Sequence, residues 1–345
     1  MTSLTAYISY DDPLISTLIL QSLSNLIPSL TFISQASTAN LQWSTYESLS
    51  FEQILSQPKT TLCNSYIFRK AIIRKHFLAN TISQWLVKNP ESNLQKSVPR
   101  TFLLECDFAE YLDEALNESF ELRDALQENE RIVRGDGMRD GRGWFILKPS
   151  MADRGQGIRL FSTMRELEEI FEEFEAQEDE EENTDKEDVE RQSSKDTGVI
   201  ANQLRHFVIQ EYIPNPLLLD SPSLLSHRKF HLRTYIVSFG AIKVYVWSEI
   251  LALFASKEYS PPSATADLSG HLTNTCLQSE EDKGDHVVRF WELPLGEGVL
   301  RGIWRRICDV AGEVFIAAAK GQQMHFQVCF PHYWYLCFID ISPCS

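Results

Sequence analysis

Strand and helix signals alternate along this 345-residue chain, which predicts an α/β or α+β protein. Two observations carry that reading: stretches of period-2 alternation separate stretches with apolar residues every three or four positions, and 43% apolar with 11% aromatic content suffices for a core spanning more than one subdomain. LTAYIS (4–9) reads as a strand, Pro13–Leu26 as a helix carrying Leu14, Leu18, Leu20 and Leu23, and LTFIS (30–34) as a second strand. Together they predict a small N-terminal α/β subdomain over residues 1–60. After a Ser-, Gln- and Thr-rich connection, helical spacing runs from Tyr66 to Leu86, and Pro90 lies just past its end. TFLLE (101–105) reads as a strand, and Asp107 with Glu110 forms a capping box for a helix to about Leu126.

Membrane and zinc-binding classes are set aside by composition. No run of roughly 18 uncharged apolar residues occurs, and Asp11 and Asp12 arrive before a signal-peptide pattern can develop. The seven cysteines are scattered without CxxC or Cys/His spacing, as reduced thiols of a cytosolic or nuclear protein would be. A cytoplasmic protein is expected, with neither a membrane nor a nucleic acid as partner.

The net charge of -16 is concentrated in one place. Between Glu166 and Asp196 lie 16 acidic and 3 basic residues, a net of -13, so the remainder of the chain carries only about -3. With almost no apolar residues to bury, segment 176–198 reads as a disordered acidic insertion. Residues 128–142, which include RGDGMRDGRG, lack the spacing of a dinucleotide fingerprint and read as a mobile surface loop.

Three segments carry chemistry. WFILKP (144–149) is a short apolar strand ending on Lys148, followed by a loop in which Gly155 and Gly157 let the backbone fold close over an anion while Lys148 and Arg154 neutralise it. HFVIQEYI (206–213) is an alternating strand broken by Pro214 and Pro216; its edge can hydrogen-bond a planar base while Tyr212 or Ile213 packs on the ring. RKFHLRTYIVSFG (228–240) puts Lys229, His231, Arg233 and Tyr235 on one strand face, with Lys229 and Arg233 roughly 13 Å apart. Two fixed cations facing one way are costly in a core and sensible beside a polyphosphate. HLTN (271–274) adds small polar groups for a sugar or phosphate.

In this order ILKPSMADRGQGIRLF, FVIQEYIPNPLLL, HRKFHLRTYIV and DLSGHLTNTCLQ resemble the tubulin–tyrosine ligase family of ATP-grasp enzymes, in a fungal-like form, and SYIFRKAIIRKHFLAN (65–80) is similar to its N-terminal part. The resemblance covers roughly residues 60–327. It implies an α+β ATP-grasp fold over 61–327, with ATP between two α+β subdomains. It also implies a reaction in which a carboxylate is phosphorylated by ATP and the acyl phosphate is captured by an amine, the partners being free tyrosine and the C-terminal tail of α-tubulin. Carried over, Lys148 and the loop Arg154, Gly155, Gln156, Gly157 and Ile158 would bind phosphates, and Gln210, Glu211, Tyr212 and Ile213 would frame adenine. Lys229 and Arg233 would be the catalytic pair at the nucleotide or acyl phosphate, with His231 beside the nucleotide, and Thr273 and Asn274 would help hold it.

The chain departs from the family at three places. Animal members usually carry aspartate at the position of His231 and arginine at that of Ser248. After Gln327 the family continues into a D-F-x-x-D strand and an E-x-N strand that hold magnesium; here VCFPHYWYLCFIDISPCS follows, an atypical tail over 328–345 with Asp340 as its sole carboxylate. Magnesium is expected for the family, yet no metal ligands are identified in this sequence. A nucleotide-binding scaffold without ligase activity is therefore the alternative reading.

Overall fold

The computed structural model describes residues 4–135, 141–152, 155–182, 206–220, 225–240, 242–263, 267–273, 286–326 and 334–341, with the backbone alone at 177–182 and 334–341. In chain order the elements begin β1 (Thr5–Ser9), α1 (Pro13–Leu26), β2 (Thr31–Phe32), β3 (Leu41–Ser44), α2 (Phe51–Ser56), β4 (Leu62–Cys63), α3 (Lys70–Ile73), α4 (Lys75–Lys88), α5 (Leu94–Ser97) and β5 (Thr101–Glu105). They continue with α6 (Leu112–Asn117), α7 (Phe120–Arg134), β6 (Phe145–Pro149), β7 (Arg159–Phe161), α8 (Met164–Glu182) and β8 (His206–Glu211). Last come β9 (Phe230–Phe239), β10 (Lys243–Val246), β11 (Leu251–Phe254), β12 (Val287–Arg289), α9 (Glu297–Gly321) and β13 (Trp334–Ile341). No described helix is long and apolar enough to cross a membrane.

The chain groups into two compact units, each assembled from separated stretches. The first comprises Met1–Ile73, Thr234–Ser248 and Ile307–Ile341. Here β2, β1, β3, β4 and β13 run parallel in that order, and β13 then pairs antiparallel with the second half of β9, which also pairs with β10. Ala6, Leu23 and Leu41 form a small core under α1. The helix starts where the sequence predicts because the Asp12 carboxylate accepts from the N–H groups of Leu14 and Ile15 at 2.8 and 3.3 Å, with Pro13 in the first turn.

Four readings of local structure are corrected. The strand expected over 30–34 pairs at Thr31 and Phe32 alone. The helix expected from Tyr66 begins at Lys75, after the short α3 and an extended Arg74 (φ -105°, ψ 126°). Tyr66 is held out of helical structure by tertiary bonds, its hydroxyl lying 3.0 Å from Ser238 Oγ and donating to the Gly240 carbonyl at 3.2 Å. The helix expected from Asp107 starts instead at Leu112; the Glu175 carboxylate accepts from the Ala109 N–H at 2.5 Å, and the helix divides into α6 and α7 at Ser119, whose hydroxyl donates to the Leu103 carbonyl at 3.1 Å. The surface loop read over 128–142 is helical through Arg134, where Gly135 closes α7 at φ 88°, and 136–140 lie outside the described residues.

The acidic insertion is corrected as well: α8 carries its first residues, 176–182, while 183–198 lie outside the described residues. A capping box that the sequence reading passed over starts this helix, the Thr163 hydroxyl accepting from Glu166 N–H at 3.2 Å and the Glu166 carboxylate from Thr163 N–H at 3.1 Å. Leu167, Ile170, Phe171 and Phe174 then anchor α8 in the core.

The second unit comprises Arg74–Arg233, Glu249–Arg306 and Ser342–Ser345. Its antiparallel sheet has the order β5-β8-β6-β7, and β9 contributes Phe230–Arg233 to a second antiparallel ladder with β11 and β12. Strand alternation splits β6 cleanly: Phe145 and Leu147 enter the core with α7 and α8, whereas Trp144 and Ile146 pack on the opposite face with Leu160, Tyr212 and Leu272. Lys148 shares the parity of Ile146.

One buried amide ties these strands to α7. Asn129 donates to the carbonyls of Gly143 and Ser162 at 2.8 and 2.6 Å and accepts from the Gly143 N–H at 2.8 Å. We predict that Asn129→Ala, which strands three backbone groups, lowers stability by about 2–4 kcal/mol; a urea midpoint matching wild type would show that water replaces the amide.

Candidate nucleotide-binding site

The polar face of the second unit is built from strand ends. Lys148, near the end of β6, is only 4% exposed, and its Nζ donates to Gln210 Oε1 at 3.1 Å; Gln210 Nε2 in turn donates to Thr101 Oγ1 at 3.0 Å. Lys75 of α4 donates to the carbonyls of Pro149 and Ala152 at 3.0 and 2.5 Å, holding the start of the loop that follows Lys148. Further along, Gly155 and Gly157 have φ of 82° and 68°, a backbone region in which a side chain would be strained. Ile158 is buried and Gln156 half-buried.

Lys229, 9% exposed, sits with Nζ 4.5 Å from the centre of the Tyr212 ring and donates to its hydroxyl at 3.4 Å. That hydroxyl lies 2.8 Å from His271 Nδ1, and His231 Nδ1 lies 2.5 Å from Thr273 Oγ1. The loop reaching His271 passes so close to Glu258 that a Cβ on Gly270 would meet the Glu258 carbonyl oxygen at 2.7 Å.

Electrostatics follow from burial. Desolvation first, then the nearby Lys148 charge, lower Lys229 to about 8. Burial, reinforced by Arg233 and Lys229, lowers His231 to about 4, and burial with Lys229 also depresses His271. Burial raises Tyr212 above the usual phenol range. At neutral pH Lys229 therefore stands largely as an ammonium beside Lys148, among neutral imidazoles. Among the described residues His231 Nε2, His271 Nε2 and Ser150 Oγ are buried without a hydrogen-bond partner and could serve a polar ligand. Cations and spare polar groups of this kind suit a polyphosphate nucleotide.

Of the residues singled out from sequence, Lys148, Gln210, Tyr212, Lys229, His231 and Thr273 share this unit and the contacts above. Arg233 is half-buried at the end of the same run, paired in register with Leu251. Glu211 turns outward to an ion pair with Arg100 at 3.3 Å, and Ile213 is 55% exposed. Arg154 and Asn274 lie outside the described residues. Sequence reasoning missed Lys75 and His271. The HLTN signal contained His271, but its partner stands 59 residues away, beyond any local pattern.

Three comparisons bear on this arrangement. The profile of the tubulin-tyrosine ligase family matches residues 53–338. A probable tubulin–tyrosine ligase of Schizosaccharomyces pombe is 41% identical over 325 residues, covering 93% of this chain and 77% of that protein. The probable tubulin–tyrosine ligase PBY1 of Saccharomyces cerevisiae is 41% identical over 295 residues; the match covers 82% of this chain and 38% of PBY1, so this chain spans well under half of that relative. The human tubulin polyglutamylase TTLL6 is 24% identical over 307 residues, 85% of this chain and 27% of that one. Among solved structures, the C-terminal domain of K. lactis Pby1, described as an ATP-grasp enzyme interacting with the mRNA decapping enzyme Dcp2, superposes with a TM-score of 0.63 at 30% identity, covering 98% of this chain and 81% of that one.

The depressed Lys229 gives a pH signature. Its charge is present below about 8 and lost above, so we predict that affinity for a fluorescent ATP analogue falls as pH rises from 7 to 9. Lys229→Met should flatten that dependence, and Lys148→Ala should weaken binding at pH 7 by roughly 1.5–3 kcal/mol. A pH profile unchanged in Lys229→Met would remove Lys229 from the site.

Proposed function

Because the chain belongs to the tubulin–tyrosine ligase family and has the α+β ATP-grasp fold, we propose that it is an ATP-dependent carboxylate–amine ligase adding tyrosine to the C-terminal tail of α-tubulin. In this reading the tail carboxylate attacks the γ-phosphate, ADP departs, and the tyrosine amine displaces phosphate from the acyl phosphate to form the amide. A carboxylate is a poor electrophile, and phosphorylation supplies its leaving group. Lys148 and Lys229 neutralise phosphate charge, Arg233 faces the developing acyl phosphate, and His231 and Thr273 line the nucleotide. The observation carrying this assignment is the buried lysine pair set among orphaned imidazole nitrogens.

Adenine would lie against the Gln210–Ile213 edge, with Arg154 to Ile158 over the phosphates and Asn274 beside Thr273. Reduced thiols such as Cys63, Cys106 and Cys308 are in keeping with a cytoplasmic site of action. Magnesium is a separate matter: among the described residues no group of three His, Cys, Asp or Glu side chains could hold a metal ion. The sequence of the tail, in which Asp340 is the sole carboxylate, favours as the second reading a nucleotide-binding scaffold; the Pby1 domain's interaction with Dcp2 gives a precedent for a protein partner outside microtubules.

The deciding experiment supplies detyrosinated tubulin, ATP and magnesium together with labelled tyrosine or labelled glutamate. Tyrosine incorporation that drops at least about a hundredfold in Lys148→Ala is the expected result. Glutamate incorporation would reassign the amino acid toward the polyglutamylase relatives, and ATP binding without incorporation of either would favour the scaffold.

A further inference from the structure

The four-stranded sheet of the second unit ends at β5, and the ladder pairs fix which backbone groups that strand leaves over. The Glu211 N–H donates to the Arg100 carbonyl at 2.9 Å, so this pair is a hydrogen-bonded one of the antiparallel ladder with β8. Alternation then turns the N–H and C=O groups of Phe102 and Leu104 toward β8, and those of Thr101, Leu103 and Glu105 toward the open edge. The Ser119 hydroxyl on the Leu103 carbonyl agrees with this orientation, and the Leu103 N–H has no partner among the described residues.

The edge lies at the bottom of a slot. A groove of about 320 Å³ follows it, walled by Asn80 and Ser83 of α4 on one side and by Ser119 and Phe120 at the α6–α7 junction on the other. Two apolar side chains stand open there, Leu103 at 40% and Phe120 at 65% exposure. The charged residues lining the slot, Glu118 and Glu121, are both acidic, and Glu121 is paired with Arg100 at 2.7 Å. From Thr101 to Leu122 the chain carries seven carboxylates and no Lys, Arg or His. The flanking Arg100 and Arg123 are already engaged, with Glu121 and Glu211 and with Asp113 respectively.

We propose that the β5 edge is a docking site for an extended, lysine- or arginine-rich segment of a partner protein, which adds as a further strand. Main-chain bonds to Leu103 would supply register, an apolar side chain of the segment would cover Leu103 and Phe120, and its cations would face the carboxylates. Natural sheets protect their edges with lysine or proline, inward charges or a covering element. Here the edge strand TFLLE has neither lysine nor proline, and a single serine hydroxyl stands where a pairing N–H would be. The site is independent of the nucleotide pocket and of the ligase reading.

The test uses a fluorescein-labelled peptide alternating lysine with valine or leucine over eight residues, titrated against the full chain by anisotropy. Saturable binding is expected. Methylation of every second amide nitrogen, which leaves charge intact but blocks pairing, should weaken it at least about tenfold, and Glu114→Lys/Glu118→Lys should do likewise with unchanged thermal midpoint and ATP-analogue affinity. Slowed exchange of the Leu103 amide on peptide addition would place the contact. No saturable binding, equal binding of the methylated peptide, or equal binding of a peptide with aspartate for lysine would overturn the proposal. A dimer in sedimentation that Phe120→Asp dissolves would also overturn it, by giving the edge to a second copy.

Discussion

An ammonium group can stay buried only where the chain surrounds it with dipoles it could not otherwise use, and Lys148 sets that requirement for the second unit. Its position on β6 sets Gln210 of the neighbouring strand to present its amide oxygen, while the Gln210 amide nitrogen donates to Thr101 on the third strand. Placing Lys229 nearby raises the demand, since burial and then the Lys148 charge loosen the hold of Lys229 on its proton. The answer is a shell of neutral rings: Tyr212 offers its face and hydroxyl, and the two histidines stay uncharged. The arrangement costs stability, which the proposed anion would offset.

That logic explains which parts were legible from sequence. The strand residues Lys148, Gln210, Tyr212, Lys229 and His231 could be read because period-2 alternation commits a side chain to a face before any tertiary contact is known. The helix Pro13–Leu26 could be read because Asp12 and Pro13 are local signals with local partners. Tyr66 could not, since its hydroxyl answers to Ser238 and Gly240, more than 170 residues away, and that contact overrides helical spacing. Likewise the break at Ser119 comes from a bond to a strand carbonyl rather than from any helix-stop residue.

His231 shows how a family position can change its chemistry. The aspartate that the family resemblance leads one to expect there would place a negative charge between Lys229 and Arg233; the imidazole places none, and burial, with the surrounding cations, holds it neutral. Its Nδ1 is committed to Thr273, which leaves one ring nitrogen to present to a ligand. Which of donor or acceptor that nitrogen becomes follows from the direction of the bond to the threonine hydroxyl.

Helix α8 starts from a capping box and is anchored by four apolar residues, but its final turn consists of Glu178, Asp179, Glu180, Glu181 and Glu182 with no basic residue. The backbone dipoles of a helix sum to a partial negative charge at its C-terminal end, and no basic residue of the sequence answers it there. What holds α8 is therefore its first half, from the Thr163–Glu166 box to Phe174.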